Sequence, residues 1–278
     1  PPSVNLIVYG SLTNTSIGQL FMAGIIPGIT LTLLFMAYIA VSSLMRTRHE
    51  DKEANYSWRE RLSASVDLIP PLVVFFIVMG SIYSGLATAT ESAALGVVTA
   101  LIFAGLKRKL TWTTLRTCFI QTARVTGMIL LIITAAFILN LTISLTGVAS
   151  TMSSWVTSLG LTPVMFLLAL VVFYLVLGMF MDVLSMQVAT IPITYPMALA
   201  LGIDPIWFGI FVVLMCELGL ITPPVGMNLF VVHGIRPDNG SISGVMKGAF
   251  PYVLLMLLFA GLIITVPAIV TWLPEMMR

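Results

Sequence analysis

Long apolar runs, separated by short polar stretches at irregular intervals, set the first expectation for this chain. None has the strict alternation of a half-buried strand, so a membrane β-barrel is not indicated. Several reach the roughly 20 residues that cross the hydrocarbon core of a bilayer as a helix. Residues 1–45 read as a short helix followed by a long apolar helix over 17–45, which runs into the polar sequence MRTRHEDK. Residues 46–65 read as a charged connection carrying Tyr56 and Trp58. The stretch 66–146 holds spans at 66–87, 88–106 and 125–145, with an interfacial amphipathic helix or helix start at 110–124. Residues 147–162 are small and polar and are expected along a membrane surface. Residues 163–201 form either two ordinary spans or a re-entrant hairpin. The hairpin is the more natural fit, because Ser185, Gln187, Thr190, Pro192, Thr194 and Pro196 place polar groups and breaks in mid-membrane sequence. A helix over 204–235, broken at TPPVG, and a last span at 248–274 complete the order.

Composition turns these runs into a membrane protein. Of 278 residues, 59% are hydrophobic and 9% charged, against about 25% charged in soluble domains. The net charge of +2 gives no reason to expect nucleic acid, but its distribution is informative. Ten of thirteen basic residues fall in two clusters, Arg46 to Arg61 and Lys107 to Arg124, and none lies between Val125 and Ile235. The positive-inside rule places both clusters in the cytoplasm. Cys118 and Cys216 form no disulfide framework and read as apolar filler. No phosphate-binding loop, zinc spacing or catalytic dyad stands out, which disfavours a membrane enzyme. The chain opens at Pro-Pro-Ser without an initiator Met, so a missing N-terminal portion is expected.

Self-similarity narrows the function. PPSVNLIVYG, SIGQLFMAGIIP and LLF in residues 1–35 recur as PPVGMNLFVVHG, SISGVMKGAFP and LLF in 223–259. Pro1-Pro2, Asn5-Leu6, Gly10, Ser16-Ile17 and Pro27 match Pro223-Pro224, Asn228-Leu229, Gly234, Ser241-Ile242 and Pro251, at offsets of 222 to 225. The first copy's long helix runs toward Arg46, whereas the second copy's short helix ends at Arg236. The copies therefore lie in opposite senses, and inverted repeats joined to broken helices mark secondary transporters. Two adjacent prolines delete two amide donors and leave carbonyls unpaired. In lipid such carbonyls need another partner, and a cation such as Na⁺ can serve. Leu218, Gly219, Thr222, Val225 and Gly226 would supply the oxygens; a kinked helix without any ligand is the alternative.

The run 178–235, GMFMDVLSMQVATIPITYPMALALGIDPIWFGIFVVLMCELGLITPPVGMNLFVVHGI, closely resembles the large membrane subunit of tripartite ATP-independent periplasmic (TRAP) transporters. PPSVNLIVYG with SIGQLFMAGIIPG, and GLATATESAALG at 85–96, fit the same pattern. The resemblance implies the C-terminal two-thirds of such a subunit, without the family's first hairpin. It implies an all-α membrane protein, an inverted-repeat elevator-type transporter with broken helices and a re-entrant helical hairpin. Its implied function is Na⁺-coupled import of organic anions such as C4-dicarboxylates or sialic acid across a bacterial inner membrane. The implied partners are a small membrane subunit and a periplasmic substrate-binding protein. A divalent-anion carrier of similar architecture that needs no binding protein is the competing reading. The hairpin tip would fall between Gly178 and Ser185. A second Na⁺ site would use Gly178, Asp182, Gly219, Thr222, Pro223, Val225 and Met227. A first, partial site would use Pro1 and Ser3, and substrate would meet Ser3, Asp182, Ser185, Gly226 and Asn228.

Several residues carry two readings. Asp182 is either a functional acid at the tip or the cap of the following helix. Glu217 either faces a polar cavity near the cation or snorkels to an interface. Thr88 and Glu91 have capping-box spacing. Asp204 precedes Pro205 as a helix cap. Arg124 snorkels, and His233 is packed rather than a proton relay.

Overall fold

The computed structural model describes residues 3–45, 57–236 and 240–276. Among these the chain is entirely helical, without a strand. In chain order the helices are α1 (Val4–Thr13), α2 (Ile17–Ala23), α3 (Ile25–Met45), α4 (Trp58–Ser65), α5 (Ile69–Tyr83), α6 (Ala89–Leu106), α7 (Trp112–Leu145) and α8 (Val148–Ser158). There follow α9 (Pro163–Gly178), α10 (Val183–Ala200), α11 (Pro205–Leu220), α12 (Met227–Ile235), α13 (Ile242–Thr265) and α14 (Ala268–Met276). Five candidate spans are long and apolar enough to cross a membrane. The expected connection at 46–56 lies outside the described residues, as do Pro1 and Pro2.

The chain divides into two compact units, residues 40–128 and residues 1–39 with 129–278. In the smaller unit α5 and α6 form an antiparallel hairpin. A Cβ on Gly96 would stand 2.9 Å from Val78, so this glycine allows the close approach. Ser81 Oγ donates to Ser92 Oγ across the pair at 2.8 Å. The turn into α6 is held by the capping box that the sequence announces. The Thr88 N–H donates to Glu91 Oε2 at 2.8 Å, and the Glu91 N–H donates to Thr88 Oγ1 at 3.3 Å.

The larger unit is built around α11. Twelve of its sixteen residues are buried, and its apolar side chains point all round, the pattern of a helix enclosed on every side. It packs against α1, α2, α9, α10, α12, α13 and α14. Asp204 caps it, accepting the Trp207 N–H at 2.8 Å, with Pro205 in the first helical position. Two of its glycines set the packing distances. Gly209 receives the ring of Tyr9, which a Cβ would meet at 2.6 Å. Gly219 lies against Gly178 of α9 backbone to backbone, where a Cβ would stand 2.6 Å from Gly178 Cα. Small residues permit such contacts between membrane helices. Tyr9 Oη also donates to the Pro205 carbonyl at 2.6 Å.

The last span differs in outline from the sequence expectation, and three other elements gain detail. The apolar stretch 17–45 is one candidate span with a single non-helical residue at Gly24, where Pro27 offers no amide to the Ala23 carbonyl. The expected last span, 248–274, is two helices, interrupted at Val266 and Pro267. Of the two readings of the amphipathic segment 110–124, the helix start holds: it opens a continuous 34-residue α7 at Trp112. At 1.5 Å per residue α7 is about 50 Å long, more than the hydrocarbon core requires, which leaves its arginine-bearing first turns room outside the core. The polar segment 147–162 holds a helix, α8, which packs against α10 and buries Val156. The residues Ser150–Ser158 of α8 meet α9 at a bend of 119°.

The Gly178–Gly219 contact yields a direct expectation. Gly219→Ala will lower the thermal midpoint of the detergent-solubilised protein, by overpacking worth about 1–3 kcal/mol. Gly261→Ala, where a Cβ meets nothing within 4 Å, will not lower it. Equal midpoints for both variants would remove the close crossing from the account of the fold.

Candidate functional site

The site grows from the C-terminal end of α11, where the chain runs out of amide donors. In a regular helix the carbonyls of Gly219 and Leu220 would accept from residues 223 and 224, both proline. Neighbouring donors make up part of the loss. The Thr222 N–H turns to the Gly219 carbonyl at 3.1 Å, and the Ile221 N–H to the Leu218 carbonyl at 3.3 Å. Buried Thr222 adds its hydroxyl, donating to the Leu218 carbonyl at 2.7 Å. Among the described residues no N–H outside regular helix turns to the Leu220 or Thr222 carbonyl. Both oxygens lie close to Gly226 instead. A Cβ there would stand 2.9 Å from Thr222 O and 3.1 Å from Leu220 O. Gly226 has φ of +46°, in the left-handed region that favours glycine, and it is the N-cap of α12.

The opposite wall is the turn between α9 and α10. Gly178 ends α9 and touches Gly219, so the base of this turn and the start of the α11 break meet directly. Asp182, half-buried, is the N-cap of α10, and its Oδ2 accepts the Ser185 N–H at 3.1 Å. One carboxylate oxygen is thus committed to the helix start, the cap reading of this residue. The two arms are tied below the turn: Tyr174 Oη and Thr190 Oγ1 lie 2.9 Å apart, and Thr194 Oγ1 is 3.5 Å from the same phenol. Gln187, on the buried side of α10, is 0% exposed, and its amide interacts with the Cys216 thiol of α11.

The remaining expected residues are spread more widely. Pro223 and Val225 are half-buried in the break, and their peptide neighbour Pro223–Pro224 is cis. Met227 and Asn228 open α12 and are exposed. Asn228 lines a cavity of about 460 Å³ with Ile221, Leu229, Val245 and Tyr252. Ser3 is half-buried as the N-cap of α1, without a side-chain capping bond. Pro1 lies outside the described residues. Hence Gly178, Gly219, Thr222 and Gly226 belong to one connected region, with Asp182 and Ser185 on the turn that borders it. Among the described residues no side-chain hydrogen bond ties Ser3 or Asn228 to that region, although Asn228 shares its cavity with Ile221 of the break.

One interaction was not anticipated. Asn5 Nδ2 of α1 donates to Glu217 Oε1 of α11 at 2.9 Å. The sequence held two hints, an asparagine repeated as Asn5 and Asn228 and an acid embedded in apolar sequence, but nothing in the spacing paired them. Among the described residues no group of three His, Cys, Asp or Glu could hold a metal ion. The oxygens available are carbonyl and hydroxyl oxygens, the donors that hard cations take.

Residues 1–269 match the family described as tripartite ATP-independent periplasmic transporter, DctM component. The C4-dicarboxylate TRAP transporter large permease protein DctM of Pseudomonas aeruginosa is 34% identical over 99% of this chain and 64% of its own length. The sialic acid TRAP transporter permease protein SiaT of Haemophilus influenzae is 33% identical over 100% of this chain and 44% of its own. The isethionate TRAP transporter permease protein DctMQ of Oleidesulfovibrio alaskensis is 36% identical over 97% and 42%. The chain thus spans less than two thirds of the length of these relatives, which are permeases rather than enzymes. It belongs to the TRAP transporter family as a DctM-type large permease component, a multi-spanning protein of the bacterial inner membrane.

Proposed function

We propose that this chain forms the cation-binding part of a Na⁺-coupled secondary importer of organic anions, of elevator type, fed by a periplasmic binding protein and assembled with a small membrane subunit. The observation that carries the Na⁺ reading is the pair of carbonyl oxygens, Leu220 and Thr222, beside a glycine whose missing Cβ leaves them room. Thr222 spends its proton on Leu218 and keeps its lone pairs. Gly178 and Gly219 hold the α9–α10 turn against this oxygen cluster. The partial negative charge at the end of α11 falls in the same place. Na⁺ bound here would supply the charge that these oxygens lack and couple its own gradient to the anion. The chain's residues do the rest: they orient carbonyls, keep the break from closing, and seat the turn. The anion class rests on the C4-dicarboxylate, sialic acid and isethionate permeases among the relatives.

Reconstitution tests the whole reading. The complete permease with its small subunit, in proteoliposomes, should take up anion only with an inward Na⁺ gradient and the cognate binding protein present. Free substrate moving equally fast without the binding protein would favour the carrier that needs none. Uptake indifferent to Na⁺ would end the coupling proposal.

Two sets of variants probe the residues. Thr222→Val removes the hydroxyl at almost constant volume, and should raise the Na⁺ concentration for half-maximal uptake about five- to tenfold, the worth of roughly one hydrogen bond. Gly226→Ala, strained at positive φ and crowding both carbonyls, should do at least as much. Asp182→Asn should retain most uptake, because Asn caps as well as Asp, whereas Asp182→Ala should lose about 1 kcal/mol of stability and slow transport. Loss of uptake in the Asn variant with unchanged folding would show instead that the charge of Asp182 is needed.

A further inference from the structure

We propose that the cavity between α12 and α13 binds an anionic phospholipid of the cytoplasmic leaflet, with an acyl chain inside the cavity and the phosphate at Arg236. The inference stands apart from the Na⁺ reading, since it needs no cation. The cavity holds about 460 Å³, within the range of about 300–1,000 Å³ for pockets that take small organic ligands. Its walls follow helix periodicity. Leu229, Val232 and Arg236 stand three and four residues apart along α12 and just past its end, and Val245, Gly248 and Tyr252 have the same spacing on α13. Each helix thus lends one stripe to the cavity. Phe35 of α3 closes a side, its ring nearly perpendicular to that of Tyr252 with centroids 5.2 Å apart.

The change of polarity along the cavity identifies the occupant. Ile221, in the break after α11, lines one end, and Arg236, which follows α12, lines the other. Between them runs α12, whose nine residues rise about 13 Å. That is close to half of the roughly 30 Å hydrocarbon core, the depth of one leaflet. Apart from Asn228 and Tyr252, the side chains between the two ends are apolar. An acyl chain has this length and this chemistry. At the other end charge takes over. Arg236 precedes the α13 span and Lys247 lies in its second turn, so the positive-inside rule puts this end at the cytoplasmic surface. The guanidinium is laid across the start of α13: a Cβ on Gly244 would stand 3.3 Å from Arg236 Nη1. The positive end of the α13 dipole falls in the same place. A basic residue at the mouth of an apolar pocket between spans is the arrangement that takes an anionic headgroup.

The test uses the complete permease with its small subunit, in nanodiscs of phosphatidylcholine with and without phosphatidylglycerol. Retained lipid is read by native mass spectrometry, and the thermal midpoint is read beside it. The wild type should retain phosphatidylglycerol over phosphatidylcholine about fivefold, the contribution of one arginine near a membrane surface, and should melt higher with it. Arg236→Gln should lose that preference. Gly248→Leu, at a position where a Cβ meets nothing within 4 Å, fills the cavity and should lose a lipid that the wild type keeps. Gly261→Leu, equally open on the same helix but outside the cavity, should keep it. Should Gly248→Leu fail to assemble, Val232→Trp fills the cavity from the α12 side. Equal retention of the two lipids by the wild type overturns the proposal, as does an Arg236→Gln variant with unchanged preference. Cavity-filling variants that lose no lipid overturn it too, the result expected if another segment of the transporter occupies the cavity. Inorganic phosphate raising the midpoint as far as phosphatidylglycerol does would show an anion site without an acyl chain, and would equally overturn it.

Discussion

A carbonyl oxygen inside a bilayer has no water to turn to, and its missing hydrogen bond costs several kcal/mol. At the end of α11 the chain creates that situation by placing Pro223 and Pro224 where two amide donors belong. Thr222 and Ile221 answer part of the need by tightening the last turn. What they leave, the oxygens of Leu220 and Thr222, is concentrated on one glycine. A kinked helix with no ligand would be expected to spread its unpaired carbonyls or cover them with a neighbouring donor. Here the sequence puts the residue with no side chain in front of them. That choice is the observation on which the proposed cation site rests.

The break would be of little use if its surroundings could yield. They are held by α11, enclosed on every side and fixed at two depths by glycine contacts. Gly209 lets Tyr9 lie against the upstream half of the helix, and Gly219 brings α9 to backbone contact immediately before the break. Close packing of this kind transmits displacement rather than absorbing it. The turn at Asp182 is therefore referenced to α11 through Gly178, and α1 is referenced to it through Tyr9 and Asn5. One buried helix supplies a common frame for both walls.

Local rules were legible in the sequence, and long-range pairings were not. The caps at Thr88, Asp182 and Asp204 follow from short spacing, and each is present. The interruption at TPPVG follows from proline chemistry alone. By contrast, the interruption at Pro267 is not legible from hydropathy, although the same missing-amide argument applies to it. Apolar sequence continues across that break and masks it. Gly178 is implied by the family resemblance, and Gly219 also by its place before the prolines. Their mutual contact depends on how α9 crosses α11, which no one-dimensional period records. The Asn5–Glu217 bond spans 212 residues and was likewise beyond the reach of spacing.

The repeat offers a last constraint on how far sequence symmetry can be pressed. Asn5 and Asn228 occupy matching places after the two Pro-Pro pairs, in helices of ten and nine residues. Asn5 is half-buried and bonded to a carboxylate, whereas Asn228 is exposed beside a cavity lined mainly by apolar side chains. A buried amide needs a partner and an exposed one does not. The same residue in the same local helix thus has different energetics because its neighbours differ. Helix starts recur between the copies, at Val4 and Met227, where they depend on the backbone alone. Contacts recur only when the facing helix supplies the complementary group, and in the described structure that group is Glu217.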